Sequence, residues 1–418
     1  MRIRNLFLIV SLAASIIFAQ DYPKALFYEA NAIPADSGYK VFFSYRIPYK
    51  TIVFVKKDSF YQGVFSVNLE IRDADDKIIS RQSRTDTIAV DKYDETNSAT
   101  DNKQGFLTFS LPPGNYKILP NIEMSNTNIS TNLEPLNLKL ENEDSVKVFS
   151  PIVVEVNGIS CTNKIGFWLS NYSGSIPFST KQSSLLVPVT DPDLDSIRID
   201  FLQNDSTLIV SRTVTTKIKD AFSLNECGKN VVVDFLKPDE NDASFFVVDG
   251  FSNKLFESGV TIKIYAGGSK PVTFKKDVMW NNKPKILYNP EYSIYILKQV
   301  TGKPEVDNLT SGSKDTYYAA LSKYWHKLDP DSTTRFNELM DEFYTRVDYA
   351  ISNFSATGKS GRSLGDRGIV YVKFGMPDNI ERVYNDKFAV VEVWKYNHLQ
   401  KEFVFKDISG LGNFNLTN

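Results

Sequence analysis

The chain has 418 residues, 42% hydrophobic and 23% charged, with a formal net charge of −2. These proportions exclude an intrinsically disordered chain, and the near-neutral balance excludes a global basic field that would draw it to nucleic acid or anionic lipid. Phe (29) and Tyr (21) far outnumber Met (5), a bias that suits strands.

Residues 1–20, "MRIRNLFLIVSLAASIIFAQ", read as a signal peptide. Arg2 and Arg4 precede an apolar run from Leu6 to Phe18, and Ala19 offers a cleavage position. The run is short for a membrane span, and no later stretch reaches the ~20 apolar residues that a spanning helix needs. No Cys follows to carry a lipid anchor. The expectation is an exported protein, periplasmic or extracellular, with outer-membrane association left open and no transmembrane segment in the mature chain.

From 21 to 149 short β-formers alternate with turns: "YKVFFSYRI", "FYQGVFSVNLEIRD" and "GFLTFSLPPGNYKILPNIEM" are bounded by "DADDK", "PPGN" and Asn/Ser-rich loops. The spacing predicts an antiparallel β-sandwich. Residues 150–268 hold about seven further strand candidates, from "KIGFWLS" to "GVTIKIYA", and predict a second sandwich. Residues 269–313 read as a surface linker. Residues 314–418 read as an α+β module of helices covering a small antiparallel sheet. In it "DTYYAALSKYWHKL" places Tyr318, Leu321, Trp325 and Leu328 on one helix face. "TTRFNELMDEFYTRVDYAISNF" does the same for Phe336, Leu339, Met340, Phe343, Val347, Ile351 and Phe354, with Asp331 to Thr334 as its cap. "IVYVKF", "AVVEVWKY" and "EFVFKD" read as three strands, the last two joined by a hairpin at "NHLQK". The fold class is therefore mainly β with a C-terminal α+β module.

Cys161 and Cys227 are the two cysteines. A pair in an oxidising compartment is compatible with a disulfide, which a loop of this length would make worth roughly 4 kcal/mol. Sequence does not place the two Cα atoms within bridging reach, so pairing stays open. No C-x-x-C and no nearby His suggests a redox or metal role.

Motifs that carry chemistry are weak. "TGKSGRS" lacks the first glycine and the strand–loop–helix order of a phosphate loop, and ends a helix instead. Asp191, Asp193 and Asp195 stand at calcium-ligand spacing, but Ser196 and Leu202 occupy the positions where an EF-hand needs Gly and Glu. A solvated turn is the simpler reading. The two histidines, His326 and His398, have no triad motif around them. Asp366, Asp378, Glu381 and Glu392 could converge as a general-acid pair. Around "GDRGIVYVKFGMPDNIE" (365–381), Gly368, Gly375 and the Pro377-Asp378 turn redirect the chain. Arg367 could brace a helix against a strand by pairing with a carboxylate. The residual functional option is an interaction groove formed by Asp366, Arg367, Gly368, Gly375, Pro377, Asp378 and Trp394.

The residues 321–355 and 365–383, with "VVEVWKYNHLQKEFVFKDISGLGNFNL", resemble the GWxTD-domain family, exported proteins of Bacteroidetes-like bacteria. Trp325 with Leu328-Asp329-Pro330, Tyr344-Thr345-Arg346-Val347, Asp366-Arg367-Gly368, Gly375-Met376-Pro377-Asp378 and Val393-Trp394 carry the likeness. The eponymous Gly-Trp-x-Thr-Asp stands here as Arg362-Ser363-Leu364-Gly365-Asp366, keeping only the Asp. The resemblance brings no activity with it. More distantly, the ending is similar to a small envelope lipoprotein module that binds partners, an analogy of fold alone. The expected function is a non-enzymatic cell-envelope protein, a protein–protein interaction or scaffold module without a cofactor. Two alternatives stand beside it: glycan binding through Trp168, Trp280 and Trp394, and carboxylate-dependent hydrolysis.

Overall fold

A computed structural model describes residues 26–35, 38–98, 100–141, 148–157, 161, 166–191, 193–236, 243–354, 363–384, 390–408 and 410–417. The expected signal peptide lies outside these residues. The chain is mainly β, as its composition indicates, and its first two-thirds, to Met279, form a stack of four sheets.

The outermost layer has six strands: Phe54–Lys57, Phe60–Arg72, Gly114–Met124 and Ser130–Asn132 in order, with Ile78–Val90 on the second and Leu136–Leu140 on the third. The next layer has three, Phe27–Ala35, Gly38–Pro48 and Asn102–Leu111, all antiparallel. Alternation sends Val41, Phe43, Tyr45 and Ile47 into the core between these sheets, where they meet Phe65, Val67, Leu69 and Ile71. The third layer is seven-stranded, with Ile152–Asn157 at its centre between Ser183–Val189 and Gly166–Leu169. The fourth is five-stranded and includes Ile197–Gln203, Gly259–Tyr265 and Val272–Met279. Val187, Phe246, Phe201 and Ile262 fill the core between the third and fourth layers.

The two sandwiches are not merely in tandem. Ile33 and Phe42 from the second layer pack against Ile152, Val154, Leu186, Phe222 and Phe245 on the back of the third. Both middle sheets are therefore covered on both faces. This accounts for "SSLLVPV", buried at every position of Ser183–Val189, because a strand covered on both sides needs no polar face. Polar groups cross the same junction: Arg84 and Lys103 reach Glu226, and Asn171 donates to the Tyr45 carbonyl at 2.7 Å. Cys161 and Cys227 form a disulfide within the second sandwich, with Cα atoms 5.7 Å apart.

Three readings of the sequence are corrected. Residues 269–313 are not a surface linker. Val272–Met279 pairs with Gly259–Tyr265 and belongs to the second sandwich. Pro290–Thr301 is a helix capped by Asn289, whose side chain accepts from Tyr292 N–H, and closed by Gly302 at φ 63°. Second, "IVYVKF" is not a strand but most of the helix Asp366–Phe374. This helix lies between two apolar clusters: Val372 and Ile369 join the helical core, while Val370 and Phe374 join the core over the last sheet. Apolar cover on both sides removes the polar stripe that marks a helix in sequence. Third, the long helix runs Glu338–Phe354 and is capped by Asn337, which accepts from Met340 N–H at 2.7 Å. Asp331 closes an earlier turn with Thr333 instead. Leu328 and Leu339, expected on buried faces, are exposed, and Tyr344 and Ala350 take the interior.

The last sheet runs Asn379–Tyr384, Val390–Tyr396, Lys401–Asp407 and Asn415–Leu416, all antiparallel. The turn Asn397–Leu399 makes the expected hairpin. Among the described residues no helix is long and apolar enough to cross a membrane.

Candidate functional site

Alternation in Val390–Tyr396 turns Glu392, Trp394 and Tyr396 inward beneath the helix Asp366–Phe374. Trp394 and Tyr396 are fully buried there with Phe405. Glu392 thus brings a carboxylate into an aromatic core, and the fold answers it with donors on every side. Trp394 Nε1 donates to Oε1 at 2.6 Å. Arg382, directly across the sheet, donates to Oε2 at 2.8 and 3.2 Å. Arg367, on the helix above, lies 3.4 Å from both oxygens. The Arg367 guanidinium also stacks 3.8 Å from the centre of the Phe414 ring.

Burial pushes the Glu392 carboxyl up, but the hydrogen bonds from Arg382 and Trp394 and the two arginine charges outweigh it, and the group lies below its ordinary range. Arg382 is held above its ordinary value by the bond to Glu392, whereas burial draws Arg367 down. An ionised carboxylate with both oxygens occupied has no proton to donate and no free lone pair aimed at a substrate.

The other expected groove residues are structural too. Asp366 accepts from Leu416 N–H at 2.7 Å and pins the final strand to the helix. Gly368 is buried where the helix meets Ala350; a Cβ there would press on Leu364 at 3.3 Å and touch the Ala350 methyl at an ordinary 3.6 Å. Gly375, at φ 78°, ends the helix, and its carbonyl accepts from Tyr396 OH at 2.9 Å. Pro377 is buried, and Asp378 accepts from Asn397 N–H at 2.6 Å. These seven residues do gather in one module, but as the hinge between helix and sheet. Trp394 lies inside and Asp378 at the surface of this joint.

The tryptophans chosen for glycan binding fare similarly. Trp280 is buried against Phe178 and Phe336, Trp394 is in the last core, and Trp168 is half-buried in its strand. Asp191 accepts from Asp193 N–H at 3.1 Å in a local turn. Among the described residues no three His, Cys, Asp or Glu side chains converge as a metal site. His326 is exposed, and His398 faces Asp378 at 3.4 Å.

Three features were missed. Arg382 completes the Glu392 cluster. Asp407, buried, accepts from Gly410 and Gly412 N–H at 3.0 and 2.6 Å and shapes the last loop. The third is the edge strand Asn379–Tyr384, exposed at all six positions. Ile380, Val383 and Tyr384 stand on it in solvent, and Met376, just before it in the chain, is exposed as well. The signal for the cluster was present: a Glu in the inward row of "VVEVWKY" demands a cationic partner on the paired strand.

Fold and site together define a multi-sheet β protein ending in a helix-backed sheet, locked by a buried carboxylate between two arginines. Residues 274–413 match the family model of the GWxTD domain, and the chain is a GWxTD-domain-containing protein. The match begins inside Val272–Met279, well before residue 314, in agreement with the helical core starting at Trp280. No curated protein matches the chain.

Proposed function

We propose that this is an exported, non-enzymatic envelope protein whose GWxTD module binds a partner protein along the strand Asn379–Tyr384. The observation that carries the reading is that strand itself. It is the outer strand of its sheet, its outer edge takes no strand partner among the described residues, and it presents Ile380, Val383 and Tyr384 to solvent. Exposed edges are liabilities that proteins normally blunt with charges, Pro or a bulge, and here the charges on the strand, Glu381 and Arg382, are engaged by Lys395 and Glu392 of the neighbouring strand. A partner segment added as a further strand would satisfy the edge and cover those apolar side chains. Against hydrolysis stands the engagement of Glu392 and Asp366 in structural bonds.

The test is photo-crosslinking in the producing cell, with a benzophenone amino acid placed at Val383, at Tyr384, or at Tyr93 on the first sandwich. Tyr93 is also well exposed and serves as the control. The proposal expects one discrete adduct from positions 383 and 384 and none from 93. The same adducts from all three positions, or none from the edge, would defeat it.

A further inference from the structure

A different part of the molecule carries an unassigned binding site. Along Phe27–Ala35, Phe27, Glu29, Asn31 and Ile33 share a face, and Ile33 is buried in the junction between the sandwiches. Along Val272–Met279, Phe274, Lys276 and Val278 share a face, and Val278 is in the second core. Each strand therefore sets one charged residue in an inward row. Neither charge has an ion-pair partner within 4.0 Å among the described residues. Lys276 Nζ donates to the Gly174 carbonyl at 3.0 Å. Gly174 lies between the two groups: a Cβ added to it would meet Glu29 Oε2 and Lys276 Nζ, each at 3.3 Å. Glycine at φ 72° leaves that gap open.

The pair faces a cavity of about 720 Å³ between the sandwiches, walled on one part by Leu26, Tyr28, Leu133 and Leu136 and on another by the polar Asn132, Glu134 and Asn137. A second hollow of about 440 Å³ adjoins it, shares Ala30 and Leu138, and is lined by Phe149, Val272 and Phe274. Burial raises the Glu29 carboxyl, against the Lys276 charge and a bond from Asn31, and lowers the Lys276 ammonium. A separated acid and base that are both largely withdrawn from water cost stability unless something pairs with both. Pockets of this size at domain junctions, mostly apolar with a few placed charges, suit small ligands.

We infer that this cavity binds a zwitterion, an ammonium and an anionic group a few bonds apart on an apolar body, with the ammonium on Glu29 and the anion on Lys276. An apolar amino acid and a phosphoethanolamine headgroup share that chemistry. The experiment uses the full chain with its disulfide intact and isothermal titration. L-leucine and L-phenylalanine form one arm, with N-acetyl-leucine and leucinamide as single-charge analogues. Dihexanoyl phosphatidylethanolamine forms the other, with the phosphatidylglycerol counterpart lacking the ammonium.

Binding in either arm, weakened about tenfold or more in the single-charge analogue and in Glu29→Gln or Lys276→Gln, is the expected result, and the arm that binds identifies the source. Equal binding of zwitterion and analogue would overturn the assignment, as would silence of both arms up to about 10 mM. The ligand comparison needs only the wild-type chain, so it stands even if a variant misfolds. It is also independent of the edge strand, and its failure leaves the proposed function untouched.

Discussion

Glu392 shows how one side chain decides between chemistry and architecture. Its carboxylate is almost wholly buried, and two arginines and an indole N–H occupy it. Replacing it with Gln removes the charge that both arginines face, and Glu392→Gln should destabilise the C-terminal module by about 3 kcal/mol, in the range for breaking a buried pair. The pH dependence follows from the downward shift. Stability from a depressed carboxyl is present above its unfolded-state value and is lost as pH falls through the folded-state one. The gap in urea midpoint between wild type and Glu392→Gln should therefore be full at neutral pH and shrink below about pH 4. An equal gap at both ends of the titration would contradict the assignment.

At the scale of elements, neither end signals nor periodicity sufficed alone: the period located the Glu338–Phe354 helix, but its cap is Asn337 and not Asp331 to Thr334. Asn289-Pro290 and Gly302 bracket the first helix of the GWxTD module in the sequence itself. In the segment read as linker, Lys276 sets a charge in the inward row of Val272–Met279 and so breaks the alternation of that strand. Strands such as Gly38–Pro48, Phe60–Arg72 and Ser183–Val189 were legible because they alternate or are continuously apolar, whereas Phe27–Ala35, Ile78–Val90 and Val272–Met279 were not read as strands. The Asp366–Phe374 helix was not legible either, because apolar contacts on both sides erase its amphipathic stripe. Two substitutions test the end signals by chemical denaturation. Asn337→Ala should cost about 1 kcal/mol through loss of the cap on Met340 N–H. Gly375→Ala should cost about 1–2 kcal/mol, since φ is positive there and the new methyl would press on the Arg346 guanidinium at 3.2 Å. Changes of a few tenths would show that these ends are held by packing instead.

For the whole molecule, the layering makes the two sandwiches one mechanical unit. The second and third sheets share an apolar interface, and Arg84, Lys103 and Glu226 tie its margin. The account expects the two sandwiches to unfold together in one calorimetric transition. Reduction of Cys161–Cys227 should lower the whole transition, by about 4 kcal/mol for a loop of this size. Two resolved transitions for the sandwiches would mean that the interface is weaker than its burial indicates. None of this junction was readable from sequence. Inward rows such as "SSLLVPV" tell that a strand is covered on both sides, but not which sheet covers it.

The central claim is that the signature residues of the GWxTD module build its frame while an exposed edge beside them does the binding. It is tested most directly in Glu392→Gln carrying the benzophenone at Tyr384, with urea midpoint and crosslinked adduct measured on the same protein at a temperature where it is folded. The account predicts a lowered midpoint and an unchanged adduct. An unchanged midpoint with the adduct gone would place Glu392 in a working site and contradict it.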